Sequence, residues 1–141
     1  MGTTFQEIEI NAPADTVWQA IRNFQDASWA PNVVTDMQVV GDIPGDEPGA
    51  GRILNGAFHE TLLTLDDDAK VFTYSIDDGP PPLSKDEMSN YIGRVAVEST
   101  ASGGTRVEWT SSWEQNDEPI QEFCHGIYMA LLGDMKKSLE A

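Results

Sequence analysis

The chain has 141 residues and 40% hydrophobic content, which predicts one globular domain over residues 1–141 with its own core. Its formal net charge of −16 repels phosphate backbones and anionic lipid, and so argues against nucleic-acid and membrane partners. A saline environment, where salt screens self-repulsion, is another explanation of this charge. With one cysteine and no apolar segment of membrane-spanning length, we expect a cytoplasmic protein without an intrachain disulfide.

The N-terminal segment predicts a strand followed by one or two short helices. Residues 4–10 alternate between two faces, as a half-buried strand does. The period then becomes helical, with Pro13 suited to a first helical turn and the helix ending near Asp26. Residues 27–32 could add a second short helix before the chain becomes strand-like again.

The middle of the chain predicts further strands, giving a sheet of about six or seven. Asn55 and Gly56 stand between two strand-like runs and favour a tight hairpin, because both residues tolerate positive φ. Short turns between consecutive strands indicate an antiparallel meander. These strands are predicted, in order, at residues 33–41, 52–54, 57–65, 71–76, 91–99 and 105–114.

Residues 117–139 predict a long helix with one apolar face, which needs a broad apolar surface to lie on. The concave side of an antiparallel sheet can supply that surface, so the fold class is α+β. The apolar face consists of Ile120, Phe123, Cys124, Ile127, Tyr128, Leu131, Leu132, Met135 and Leu139.

The order of these elements and several packing and turn residues resemble one superfamily. The residues that carry the resemblance are Ile8 to Pro13 leading into Val17 and Trp18, Trp29 and Pro31, Asp66 before Tyr74, Gly103 and Gly104 before Val107 and Trp109, and the closing helix. The chain resembles the helix-grip proteins of the START-like (SRPBCC) superfamily, in particular the polyketide cyclase/dehydrase branch. Members of that branch often carry a His between the Trp and the Pro, where this chain has Ala30.

The resemblance implies a curved sheet wrapped round the last helix, with a cavity between them. Alternation places aromatic residues on the covered side of the later strands. These rings could either line a cavity or fill a small core, and the sequence leaves both open. The predicted ligand-binding residues are Trp29, Tyr74, Tyr91, Trp109, Ser111, Trp113, Phe123, Ile127 and Leu131.

His59 is the candidate acid or base, because an interior His can transfer protons near neutral pH. His59 and Glu60 are adjacent on a strand, so only one of them can face the cavity. The register with His59, Thr61, Leu63 and Leu65 inside is slightly favoured by hydrophobic count over the register with Glu60 and Leu62 inside. A hydrogen-bonded structural His is the alternative.

We therefore expect a protein that binds a small hydrophobic or aromatic molecule in the cavity, as a monomer or a homodimer. One alternative is a cofactor-independent cyclase, dehydratase or hydrolase that uses the same pocket. Another is a co-chaperone-like protein that binds a partner through an exposed apolar patch. No metal or cofactor is expected, because the sequence has no paired metal-ligand spacing and no nucleotide-binding motif.

Overall fold

The computed structural model describes residues 1–140. Seven strands and two helices follow the predicted order and confirm an α+β chain with one short helix after the first strand. The elements are β1 (Gly2–Ile10), α1 (Ala14–Ile21), β2 (Met37–Val40), β3 (Gly51–Leu54), β4 (Phe58–Asp66), β5 (Val71–Asp78), β6 (Ser89–Ser99), β7 (Thr105–Glu114) and α2 (Asp117–Leu139).

The segment between α1 and β2 differs from its prediction. It forms turns instead of a second helix, and β2 begins only at Met37. The Asp26 carboxylate accepts the backbone N–H of Ser28 at 2.9 Å, and the Asp26 carbonyl accepts the indole N–H of Trp29 at 3.1 Å. These local bonds favour a turn, since a short acidic side chain competes with helical backbone bonding.

The strands form one antiparallel sheet in the order β1-β7-β6-β5-β4-β3-β2. The β3–β4 hairpin turns at Asn55 and Gly56, both with positive φ, as the sequence predicts. The sheet is curved, and α2 packs on it mainly along β1. This arrangement is the helix-grip fold. Neither helix of residues 1–140 has the length and hydropathy that crossing a bilayer requires.

The predicted inward faces of β5, β6 and β7 are confirmed by their burial. On α2 the side chains of Ile120, Leu132 and Met135 are fully buried, which confirms its apolar face. The same core includes residues of α1, so the short helix closes one end of the concave side. The buried side chains of the three strands are Phe72, Tyr74 and Ile76, then Tyr91, Val95 and Val97, then Val107, Trp109, Ser111 and Trp113.

The favoured register of β4 is wrong. His59 is exposed, whereas Glu60 and Leu62 are buried, which is the register that the sequence left as the alternative. The pairing of β4 with β5 shifts between Leu62 and Thr64, and this irregularity changes the phase of the alternation. Leu65 therefore packs against the core although His59 does not.

Gly93 on β6 leaves space for the ring of Tyr74, a residue on the neighbouring strand β5. It lies opposite Tyr74 in the β5–β6 register, and a Cβ built at Gly93 would stand 2.3 Å from Cζ of that ring. Real Cβ atoms do not approach other atoms so closely, and Tyr74 is fully buried in the packed core. The absent side chain at Gly93 therefore fixes where the Tyr74 ring lies.

Substituting Gly93→Ala should lower the free energy of unfolding by about 1–3 kcal/mol, because the added methyl group forces the Tyr74 ring to shift in a packed core. Urea unfolding followed by tryptophan fluorescence measures this loss. The matched control is Gly126→Ala within α2, where a Cβ would meet nothing within 4 Å. That control should stabilise the protein by about 0.5–1 kcal/mol through helix propensity. Equal stability of the two variants would contradict the packing role of Gly93.

Candidate functional site

A cavity lies between the concave side of the sheet and α2, where the resemblance implied one. Its volume is about 40 Å³, which is room for a few water molecules and well below the roughly 300–1,000 Å³ of typical ligand sites. Rings and aliphatic side chains therefore fill most of the space in this conformation. The lining residues are Val33, Val34, Arg52, Leu54, Asn55, Phe58, Glu60, Tyr74, Ile76, Leu83, Trp109, Cys124, Ile127, Tyr128 and Leu131.

One side of the cavity is bounded by the segment of residues 30–36, which we call the mouth loop because its lining residues are partly exposed. Its Val33 and Val34 line the cavity while keeping partial exposure. On one side the buried Asp134 carboxylate of α2 accepts the backbone N–H and the side-chain amide of Asn32, both at 2.8 Å. The mouth loop is thus tied to the helix that forms one wall of the cavity.

Asn55, in the β3–β4 turn, ties the other end of the mouth loop. Its Oδ1 accepts the backbone N–H of Thr35 at 2.9 Å, and its Nδ2 donates to the carbonyl of Val33 at 2.9 Å. Asn55 also has positive φ, which Asn tolerates better than most residues. Asn55, which the sequence predicted as a turn residue, therefore also holds the mouth loop in place by hydrogen bonds.

A buried ion pair stands in the wall formed by β3 and β4. Arg52 and Glu60 are opposite each other in the strand register, and their side chains are 5% and 6% exposed. The Arg52 Nε and Nη2 atoms lie 2.8 and 2.7 Å from the same carboxylate oxygen, Oε1 of Glu60. Nη1 donates to the carbonyl of Phe24 at 2.9 Å, and the guanidinium carbon lies 3.7 Å from the centroid of the Phe24 ring.

Burial is the strongest influence on the pKa of the Glu60 carboxyl. Loss of water raises the pKa of the Glu60 carboxyl, although the charge and hydrogen bonds of Arg52 oppose that shift. The pair is expensive to bury and strongly coupled, since removing either partner would leave the other as an isolated charge.

Three tyrosine hydroxyls meet beside the ion pair. The Tyr128 hydroxyl lies 2.9 Å from that of Tyr74 and 2.5 Å from that of Tyr91, and the Trp109 indole donates to the Tyr74 oxygen at 3.0 Å. Burial is the main cause that raises the pKa of each tyrosine above its ordinary value, so all three are neutral phenols at physiological pH. We call these four residues the tyrosine network.

Cys124 lines the cavity from α2 and is buried, as the sequence predicts for a structural thiol. Burial raises the pKa of Cys124 to about 11, so the reactive thiolate form is rare near neutral pH. The contact with Tyr91 opposes this shift only in part.

Four of the predicted ligand-binding residues line the cavity, and five do not. Tyr91 and Trp113 stack on each other with ring centroids 5.5 Å apart, and Trp29 packs behind Trp109 at 6.2 Å. The Ser111 hydroxyl lies 2.6 Å from that of Thr4, and Phe123 stacks on the lining residue Phe58 at 6.4 Å. The four that line the cavity are Tyr74, Trp109, Ile127 and Leu131.

The predicted catalytic residue and the polar residues of the cavity are different groups. His59 lies on the exposed face of β4, so the prediction that it faces the cavity is wrong. Arg52, Glu60 and Tyr128 supply polar atoms to the cavity. The sequence analysis placed Glu60 there only in its alternative register and assigned neither Arg52 nor Tyr128 to the site. A two-residue turn at Asn55 and Gly56 would pair Arg52 with His59. The turn in the structure has three residues, 55–57, and pairs Arg52 with Glu60 instead, so the predicted turn did not point to this pair.

The profile of the family described as "Polyketide cyclase / dehydrase and lipid transport" matches residues 1–140. This chain belongs to that family. No protein with a curated function matches the chain.

Solved structures of similar proteins share this fold over nearly the whole chain. A protein of Nitrosospira multiformis is 36% identical, with a TM-score of 0.94 over 97% of this chain and 95% of its own. XoxI of Bacillus cereus is 27% identical, with a TM-score of 0.81 over 99% and 96% of the two chains. A protein of Bacillus thuringiensis is 26% identical, with a TM-score of 0.80 over 98% of each. Family and fold together indicate a ligand-binding domain.

Substituting Asp134→Asn tests the tie between the mouth loop and α2 through its pH dependence. Hydrogen bonds from Asn32, above all from its side-chain amide, lower the pKa of Asp134 below the ordinary value of 3.8. The ionised carboxylate therefore contributes stability that is fully present above about pH 4 and is lost as pH falls through the folded-state pKa. The difference in free energy of unfolding between the wild type and this variant should be constant from pH 7 to 5 and shrink toward pH 3.

The control for this series is Glu122→Gln, which removes one negative charge from an exposed position of the same helix. Subtracting its effect separates the hydrogen-bonded role of Asp134 from the general repulsion within an acidic protein. Urea titrations at each pH supply the free energies. A wild-type advantage over Asp134→Asn that grows on acidification would be incompatible with a lowered pKa of Asp134.

Proposed function

We propose that this protein binds a small hydrophobic or aromatic molecule in the cavity between the sheet and α2. The observation that supports this function best is the composition of the cavity wall. Aliphatic and aromatic side chains from both layers form most of it, and a few polar groups converge within it. Such a wall is typical of sites that take an apolar ligand and orient it by a few hydrogen bonds.

The small volume of the cavity requires the mouth to open for a ligand of ordinary size. Five lining residues keep partial or full exposure: Val33, Val34, Asn55, Phe58 and Ile127. They cluster where the mouth loop, the β3–β4 hairpin and α2 meet. Movement of the mouth loop would enlarge the cavity without disturbing the sheet, because β2 begins only after this loop.

Native mass spectrometry of the protein purified gently from its own host tests the proposal. We expect a stoichiometric small organic adduct that is lost on denaturation. The variant Ile127→Trp should carry no adduct, because a larger ring at a residue that lines the mouth occupies the space of the ligand. Met129→Trp is the matched control, since Met129 is on the same helix, is 42% exposed and does not line the cavity.

Two results would count against the ligand-binding proposal. An adduct that persists equally in Ile127→Trp and Met129→Trp would place the bound molecule elsewhere. A bare wild-type chain that co-purifies with another protein would favour the partner-binding alternative. Urea unfolding of both variants confirms that a lost adduct does not reflect a lost fold.

A further inference from the structure

The carboxylate of Glu60 has one oxygen outside its ion pair. Nε and Nη2 of Arg52 both lie against Oε1, and no hydrogen bond from residues 1–140 reaches Oε2. Among residues 1–140, the fully buried side-chain nitrogen and oxygen atoms without a hydrogen-bond partner are Nε of Arg106 and Nε1 of Trp113. Oε2 of Glu60 is not one of them, so it keeps some accessible surface. Because Glu60 is 94% buried and lines the cavity, we assign the surface that Oε2 retains to the cavity side.

The other polar groups of the cavity are already engaged. The Tyr74 hydroxyl contacts Trp109 and Tyr128, and the Tyr128 hydroxyl contacts Tyr74 and Tyr91. Each of these phenols can therefore satisfy its own proton within the tyrosine network. The second oxygen of Glu60 is left as the acceptor with unused capacity, and a buried carboxylate oxygen gains strongly from a donor.

The net charge at this point of the wall limits what the donor can be. The charges of Arg52 and Glu60 cancel at contact distance, and no other Asp, Glu, Lys or Arg lines the cavity. A charged ligand would bring a buried charge without a counter-ion, which costs far more than a neutral polar group does. The wall therefore favours a neutral molecule.

We infer that the cavity selects a neutral, largely aromatic ligand that carries a hydroxyl or N–H group, which donates a hydrogen bond to Oε2 of Glu60. This inference rests on the proposed ligand-binding function and adds the chemical class of the ligand. Arg52 is a positioning residue in this site, because its hydrogen bond and its ion-pair contact to Oε1 hold the Glu60 carboxylate in place.

Two probes of nearly equal size test the donor requirement: phenol, which has a hydroxyl, and toluene, which has a methyl group in its place. Titrations of the full chain followed by NMR chemical shifts give both affinities, and shifts at Tyr74, Trp109 and Ile127 locate the probe. Wild-type protein should bind phenol at least as tightly as toluene. Substituting Glu60→Gln should weaken the binding of phenol about tenfold relative to that of toluene, as expected for a lost hydrogen bond to a charged acceptor.

A second variant covers the case in which Glu60→Gln unfolds because Arg52 loses its partner. The double variant Arg52→Met with Glu60→Met replaces the pair by apolar side chains of similar volume, which buried sites often tolerate. It should retain toluene binding and show the same tenfold loss of phenol. Glu122→Gln, on the exposed side of α2, is the control and should leave both affinities unchanged.

The outcomes separate this inference from the function on which it rests. If both probes bind in the cavity and the phenol-to-toluene ratio is unchanged in the Glu60 variants, the donor requirement is overturned while ligand binding stands. If neither probe binds the wild-type protein, both proposals fall. A selective loss of phenol binding in either variant supports both the ligand-binding function and the donor requirement.

Discussion

Burial of one face of α2 against the concave side of the sheet is the interaction on which the other elements depend. β1 pairs with β7, and α2 follows β7 directly, so the first and last elements of the chain lie together. Polar contacts join their ends: Lys136 donates to the carbonyl of Glu9 at 2.8 Å, and Glu140 accepts the N–H of Asn11 at 2.8 Å. Because these partners are more than a hundred residues apart, the sheet and the helix must form cooperatively.

The same packing explains why polar groups can stand in the interior. Arg52 and Glu60 neutralise each other, and the phenols of the tyrosine network bond to one another, so burial leaves few unsatisfied atoms. Trp109 links the two sides of the cavity, since its ring stacks on Tyr128 of α2 at 4.8 Å while its N–H bonds Tyr74 of β5. The polar interior thus fixes the orientation of the helix on the sheet as well as the chemistry of the cavity.

Local pattern predicts most of the fold because alternation and helical periodicity depend on residues close in sequence. The inward faces of β5 and β7 and the buried face of α2 follow directly from such patterns. The register of β4 does not, for two reasons. An irregularity after Leu62 changes the alternation, and a buried Glu60 is acceptable only because Arg52 on the neighbouring strand neutralises it. A count of apolar residues along one strand does not detect a charged partner on the neighbouring strand.

The candidate site is predictable in its location but less so in its members. The tryptophans and tyrosines are buried as expected, yet Trp29, Tyr91 and Trp113 pack behind the wall instead of forming it. Which ring lines a cavity and which fills the space behind it depends on distances of a few ångströms between elements far apart in sequence. One absent side chain, at Gly93, decides that distance for Tyr74.

The hydrogen bonds that hold the mouth loop to Asp134 and to Asn55 have a kinetic consequence. If a ligand enters past Val33 and Val34, as we propose, the bonds to Asp134 or to Asn55 must break first, so the opening rate of the loop would limit entry. The same bonds would slow escape once they reform. For the ligand that we propose, residence time is therefore set in part by the hydrogen bonds between Asn32 and Asp134, and substituting Asp134 can change it without altering a residue that lines the cavity.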